Sequence, residues 1–278
     1  MLNSKMYLSG GRLRQWIKAY WIVEGHGNGT TEQYRLMPDG CATLVLMLRG
    51  SLRLPWYQNG TMEYDAYVIP PNTEPHYNLI SDDVFHIDIQ LNPGVFYRLF
   101  NISPGALGNK IHSLRELSIP FDPSVLEQLL ALRHNPSMLI ARLDRMMETW
   151  FDRRRFKTDA LLMGLSRLYR DGNIDRFFAE QGLSVRQLQR NVKALTGISP
   201  KTISRIGRFY TILETIKHIP GDTKFSYNDL EENFSDQSHF IREFKLFTGI
   251  SPNIFIADTT PYLQYSGLCC YHREKRIS

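Results

Sequence analysis

The chain has 278 residues, 42% of them hydrophobic, a net charge of +5 and three cysteines, Cys41, Cys269 and Cys270. That length carries one large or two medium domains with proper cores, and the mildly basic balance suits nucleic acid without requiring it. Composition points away from a disulfide framework, from a secreted leader (MLNSKMYLSGGRLRQW has no apolar core) and from a membrane span, since the longest aliphatic run is only Leu44–Leu48.

Residues 1–117 are predicted to be β-rich. Ala19–Val23 is aromatic and β-branched, and Gln33–Met37 runs into the turn Pro38-Asp39-Gly40. Cys41–Leu48 is a near-continuous apolar run, the pattern of a strand buried on both faces. Leu52–Tyr57 and Thr61–Ile69 flank Asn59-Gly60, a strong hairpin signal. Val84–Leu91 alternates, with Phe85, Ile87 and Ile89 on one face and His86, Asp88 and Gln90 on the other. Short strands separated by turns suggest a barrel or a double-sheet jelly roll. A short helix is expected over Val95–Asn101 and a further helical piece over Leu107–Leu117.

Residues 118–155 read as a helical connector. A first helix, capped by Asp122 or Ser124, runs to about Arg133 and buries Val125, Leu126, Leu129 and Leu130. A second, capped by Ser137, carries Leu139, Leu143, Met146 and Trp150 on one stripe, with Ile140, Met147 and Phe151 alongside. That wide apolar face is either core against the β part or a seam for a homodimer. Arg153-Arg154-Arg155 marks a solvated junction.

Residues 156–258 contain an internal repeat. SVRQLQRNVKALTGISP at 184–200 and SHFIREFKLFTGISP at 238–252 are offset by 52 residues, which aligns Arg190 with Arg242, Lys193 with Lys245 and Gly197 with Gly249. Thr158 is expected to cap a helix over Asp159–Tyr169. Ile174–Glu180, a turn at Gln181-Gly182-Leu183 and Val185–Thr196 follow, with Pro200–His218 as a long linking helix. Gly just past a helix end and Ser-Pro at the next start are stop and start signals. A short helix, a turn and a second helix make a helix-turn-helix, and Arg, Gln and Lys on the outer face suit a major groove. Residues 184–217 hold seven basic and one acidic residue, whereas 222–236 hold one basic and five acidic. The basic footprint therefore belongs mainly to the first unit, and Arg205 and Arg208 are either backbone contacts or exposed helix charges.

These repeated motifs, with Arg208-Phe209 between them, resemble the DNA-binding domain of AraC-type transcription regulators over about residues 160–258. YWIVEG, RLMPDGCATLVLML and IDIQLNPGVFYRLF are similar to the β-rich, cupin-like sensor domain that precedes it in one branch of the family. The resemblance implies two helix-turn-helix units on consecutive major-groove segments, with recognition helices about 34 Å apart. Carried over by motif, the DNA-binding positions are Arg186, Gln187, Gln189, Arg190 and Lys193, then Gln237, Ser238, His239, Arg242 and Lys245. The second unit departs from the pattern. Its supporting helix reads SYNDLEENF, with Asn233 in place of the turn Gly and a carboxylate where a small residue is expected, so weaker DNA binding is expected there. Tyr20, Trp21, Trp56, Tyr57, Tyr67, His76, Tyr77, His86 and Asp88 either line a pocket or fill a core.

The expectation is an α+β chain: a β-rich barrel or jelly-roll-like sensor or scaffold at 1–117, a connector at 118–155, an all-α bipartite helix-turn-helix domain at 156–258 and a tail at 259–278. Its partners would be double-stranded DNA, a small-molecule effector, a second copy and RNA polymerase, in the cytoplasm, with no membrane. No cofactor, metal site or catalytic residue is expected. There is no Walker loop, GxGxxG or GxSxG, and His76, His86 and Asp88 lack the tight His-x-His of metal-binding cupins. Two other readings stay open: a ligand-binding or scaffolding protein with weakened or lost DNA binding, and a β-barrel metalloenzyme.

Overall fold

The computed structural model describes residues 2–25, 32–80, 83–217 and 237–257. The architecture is α+β. Among the described residues ten strands occupy the N-terminal part: β1 (Leu2–Tyr7), β2 (Ile17–Gly25), β3 (Glu32–Leu36), β4 (Thr43–Arg49), β5 (Leu52–Arg53), β6 (Thr61–Met62), β7 (Asp65–Ile69), β8 (His76–Ile80), β9 (Val84–Leu91) and, after the first α-helix, β10 (His112–Ser113). They form two antiparallel sheets, one ordered β1-β2-β9-β4-β7-β10 and the other β3-β8-β5-β6.

Burial explains why the six-stranded sheet reads as it does. Every residue of β4 from Thr43 to Leu48 is buried. Leu44, Leu46 and Leu48 join Phe85, Ile87 and Ile89 in the core on one face. Val45 and Met47 face the second sheet, with Leu52, Met62 and Ile80. The core on the first face is completed by α1 (Val95–Phe100), α2 (Ser124–Ala131) and α3 (Pro136–Arg153). Leu139, Leu143, Met146, Met147 and Phe151 of α3 are all buried there. Each such side chain contributes about 1.5–3 kcal/mol by leaving water. The apolar stripe of the connector is thus core of the β-rich half, not an open seam.

Several local expectations are corrected. Thr61–Ile69 is not one strand. It splits at Glu63-Tyr64 into β6, paired with β5 in one sheet, and β7, paired with β4 in the other. Residues Leu107–Leu117 are not helical. A short 3-10 turn, Pro104–Leu107, leads to β10, whose His112 and Ser113 pair with Val68 and Tyr67. Sheet pairing satisfies that backbone better than an isolated short helix would. The caps also differ. Asn135, not Ser137, caps α3 by accepting from the Met138 N–H, and Asp122 braces the Ser124 N–H ahead of α2. Asp159, not Thr158, caps α4 (Ala160–Asp171); Thr158 instead accepts a hydrogen bond from Trp16 Nε1 at 2.7 Å.

The helical half continues with α5 (Ile174–Glu180), α6 (Val185–Thr196), α7 (Pro200–Lys217), α8 (Gln237–Thr248) and α9 (Pro252–Ala257). One apolar core joins Leu188, Val192, Ile203, Ile206, Phe209, Phe240, Phe244 and Phe255. SYNDLEENF, Asn233, the acidic segment 222–236 and the tail at 259–278 lie outside the described residues.

Candidate functional site

The 52-residue repeat is a repeat of atoms as well as letters. Leu188, Val192 and Leu195 are buried on α6; Phe240, Phe244 and Phe247 are buried at the matching positions of α8. Thr196 Oγ1 donates to the Val192 carbonyl at 2.8 Å, and Thr248 Oγ1 donates to the Phe244 carbonyl at 2.8 Å. Both helices end in a left-handed glycine, Gly197 at φ +79° and Gly249 at φ +76°. Each glycine N–H closes onto a lysine carbonyl, that of Lys193 or Lys245.

What these shared devices hold outward is a polar face. Arg186, Gln187, Gln189, Arg190 and Lys193 are exposed on α6, as are Gln237, Ser238, Arg242 and Lys245 on α8. His239 is only partly exposed. Gln187 has a local task as well. Its Oε1 accepts from the Ser184 N–H at 3.1 Å while Ser184 Oγ accepts from the Gln187 N–H at 3.3 Å, a reciprocal cap that starts α6. Arg242 Nε donates to the Ser238 carbonyl at 3.3 Å. α6 carries three cations and no carboxylate, so its outer face is uniformly positive.

α8 has one carboxylate, Glu243, and it is turned inward. Arg205 of α7 binds it through two hydrogen bonds of 2.8 Å while its guanidinium lies 5.5 Å from the Phe247 ring centroid. Arg205 therefore fixes α8 against α7 rather than facing solvent as a backbone contact. Arg208 packs on the turn after α4, where its side chain and backbone crowd Gly172.

The helical half is docked on the β-rich half. Ser103 Oγ donates to the Ala194 carbonyl of α6 at 2.9 Å, and Gly105 lies backbone to backbone against Gly197. Arg98 of α1 pairs with Asp159, the cap of α4. Gly40, at φ +62°, lets the turn before β4 approach Ile198 and Ile206. At the centre of this contact Lys18 of β2, 2% exposed, donates to the Tyr169 hydroxyl at 2.8 Å. Its ammonium lies 4.9 and 5.4 Å from the ring centroids of Tyr169 and Tyr210, the range of cation–π attraction.

A polar network lies beside Lys18, close enough for the Asp39 carboxylate to attract its ammonium. Asp39 accepts from the Cys41 N–H at 3.0 Å and from Gln90 Nε2 at 2.8 Å, and Trp21 Nε1 donates to Gln90 Oε1 at 3.0 Å. Burial lowers the Lys18 pKa and raises that of Asp39; their mutual attraction opposes both shifts. Burial, reinforced by the charge of Asp39, pushes the Cys41 thiol up to about 12.

Of the pocket-or-core candidates, Trp21, His86 and Asp88 line the space between the sheets. Tyr20 points the other way and donates to Asp144 of α3 at 2.8 Å. Trp56 stacks on His76 with centroids 4.7 Å apart, and Tyr57 meets His76 edge-on. Among the described residues, no three His, Cys, Asp or Glu side chains are close enough to hold a metal ion, and no helix is long and apolar enough to cross a membrane. Reading the sequence missed Lys18, Asp39, Gln90, Tyr169 and Tyr210 as a unit. A signal existed: a lone lysine in the strand IKAYWIV, where alternation calls for no charge.

No curated protein sequence matches this chain. Among solved structures it is similar to ToxT from Vibrio cholerae in a P21 crystal form, at 11% identity and TM-score 0.44, covering 92% of this chain and 98% of that one. It is also similar to ToxT from Vibrio cholerae O395 bound to (E)-4-(8-methylnaphthalen-1-yl)but-3-enoic acid, at 12% identity and TM-score 0.43, covering 92% and 98%. KdgF from Halomonas sp. matches 32% of this chain and 77% of its own, at 16% identity and TM-score 0.23. All three scores lie below 0.5. By sequence, residues 5–113 match the family model described as a domain of unknown function, DUF6597.

Proposed function

We propose that this chain is a sequence-specific DNA-binding transcription regulator of the AraC type, modulated through its β-rich half. One observation carries the reading. Two helices of identical design, α6 and α8, each bury one apolar stripe and turn a basic, amide-bearing face to solvent. Arg190 pairs with guanine and Gln189 with adenine in a major groove, each good pair being worth about 1–3 kcal/mol of discrimination. Arg186 is a further groove-reading position, and Lys193 lies near phosphate and supplies affinity that falls as salt rises. Gln187 has its carbonyl oxygen in the cap, so only its amide nitrogen remains for a base. α8 reads a second segment of the same site less strongly, through Gln237, Ser238 and Arg242, with His239 and Lys245 at its margin.

In this reading residues 1–155 are one sensor unit, because the connector helices complete the β core, and 156–258 are the reading unit. The test is selection of bound sequences from a random double-stranded pool, at low and at physiological salt. Two enriched blocks about one helical turn apart are expected. The double substitution Gln189→Ala with Arg190→Ala should erase one block and leave the fold unchanged. An unaltered sequence preference would refute the assignment of α6.

A further inference from the structure

Between the two sheets lies a cavity of about 40 Å³ whose polar lining includes Trp21, Asn72, Asn78, His86, Asp88 and Gln90. That is room for roughly three water molecules, or for one compact polar group. Three side chains in its wall are buried yet incomplete. His86, Asn72 and Asn78 are 1%, 4% and 6% exposed. His86 Nε2, Asn72 Nδ2 and Asn78 Oδ1 nevertheless have no hydrogen-bond partner among the described residues. A buried polar atom left unpaired costs about 1–3 kcal/mol, so three around one cavity call for an occupant.

The polarity of that occupant follows from the neighbours. His86 Nδ1 lies 2.8 Å from Asp88 Oδ1. A carboxylate only accepts, so Nδ1 carries the hydrogen, and in the Nδ1–H tautomer Nε2 is the acceptor. Asn72 Oδ1 accepts from the Glu74 N–H at 3.0 Å, which leaves its Nδ2 as the free donor. The wall therefore offers one donor and two acceptors. An anion would meet the carboxylates of Asp39 and Asp88, which both line the cavity. A simple cation would leave the Asn72 donor unpaired.

We infer that this cavity binds a small uncharged molecule carrying a primary carboxamide or urea-type group. Its carbonyl accepts from Asn72, and its two N–H groups donate to Asn78 and His86. The same cavity wall contains Gln90 and Asp39, the polar chain that faces Lys18 and, through it, Tyr169 of α4. Occupancy is thereby relayed to the helical half. Calling that relay regulation rests on the function proposed above; the binding itself does not.

Acetamide is the probe, titrated into the isotopically labelled full chain and followed by nuclear magnetic resonance. N,N-dimethylacetamide, which accepts but cannot donate, and acetate are the comparisons. Acetamide should saturate, shift the His86 ring nitrogens and the α4 amides near Tyr169, and bind at least about tenfold tighter than either comparison. Asn78→Ala and His86→Gln, each checked for an unchanged melting temperature, should weaken it by a similar factor. No saturation, or equal binding of dimethylacetamide, overturns the site. Saturation without any shift in α4 overturns the relay. DNA binding is measured in the same samples: its absence with acetamide binding intact refutes the regulator reading alone.

Discussion

Gly197 and Gly249 close the same motif at nearly the same φ, yet they sit in different surroundings, and that pair tests how the two halves are joined. A Cβ on Gly249 meets no described atom within 4 Å, so Gly249→Ala is charged only for the left-handed backbone, about 1–2 kcal/mol. A Cβ on Gly197 would lie 2.8 Å from the Gly105 nitrogen, 3.2 Å from its Cα and 3.3 Å from the Pro104 carbonyl carbon. These are backbone atoms that cannot rotate away. Gly197→Ala should therefore lose a further 1–3 kcal/mol or so, the usual cost of overpacking, or else separate the Gly105 turn from α6. Urea unfolding followed by two signals distinguishes these. All four tryptophans, Trp16, Trp21, Trp56 and Trp150, lie in the β-rich half, so fluorescence reports that half while circular dichroism is weighted to the helices. The expected result is a larger loss for Gly197→Ala than for Gly249→Ala, seen first in the helical signal. Losses equal to within about 0.5 kcal/mol would refute the docking of α6 on the Gly105 turn.

Three other outcomes follow from the same contacts. Lys18→Met and Asp39→Asn should each destabilise the fold, since each removes a buried polar group that attracts the other, whereas the double variant should lose less than the sum; additive losses in a double-mutant cycle would show the two do not interact. Ser184→Ala removes the reciprocal cap of α6 and should lower stability by about 1 kcal/mol, with the helical unfolding midpoint as readout. Stability should also fall as pH rises above about 9. The Cys41 thiol has its folded pKa raised to about 12, so its contribution is full below its ordinary value of 9.0 and is lost between the two. The buried Tyr20, Tyr169 and Tyr210, also raised, act in the same sense above pH 10, while the lowered Lys18 acts oppositely up to its ordinary 10.5. Midpoints of denaturation measured from pH 7 to 11 check the sign; a rise over that range would contradict it. Alkylation of native Cys41 at pH 8, read by mass spectrometry, should be slow for the same reason.

The local grammar of the chain determined much of this protein before any tertiary contact was known. A left-handed position just past a helix end strongly favours glycine, and Ser-Pro starts the next helix, so GISP twice at a spacing of 52 marked the ends of α6 and α8 and the starts of α7 and α9. The run CATLVLML announced a strand buried on both faces because no polar side chain interrupts it. The alternation of β9 placed Phe85, Ile87 and Ile89 against His86, Asp88 and Gln90, and the two sets do face a helical core and the cavity between the sheets. Only the tertiary structure decided the rest. Whether the stripe of α3 was core or seam depended on β2, β4 and β9, strands distant from it in sequence. Glu63-Tyr64 became the point where the chain changes sheets, which no local pattern records. Lys18, Asp39, Gln90, Tyr169 and Tyr210 come from five separate stretches and meet only because the helical half docks on β2. A buried polar group is tolerable only with partners, and partners supplied by folding are invisible to periodicity. The basic face of α6 could be read from the letters; the Gly105 turn on which α6 rests could not.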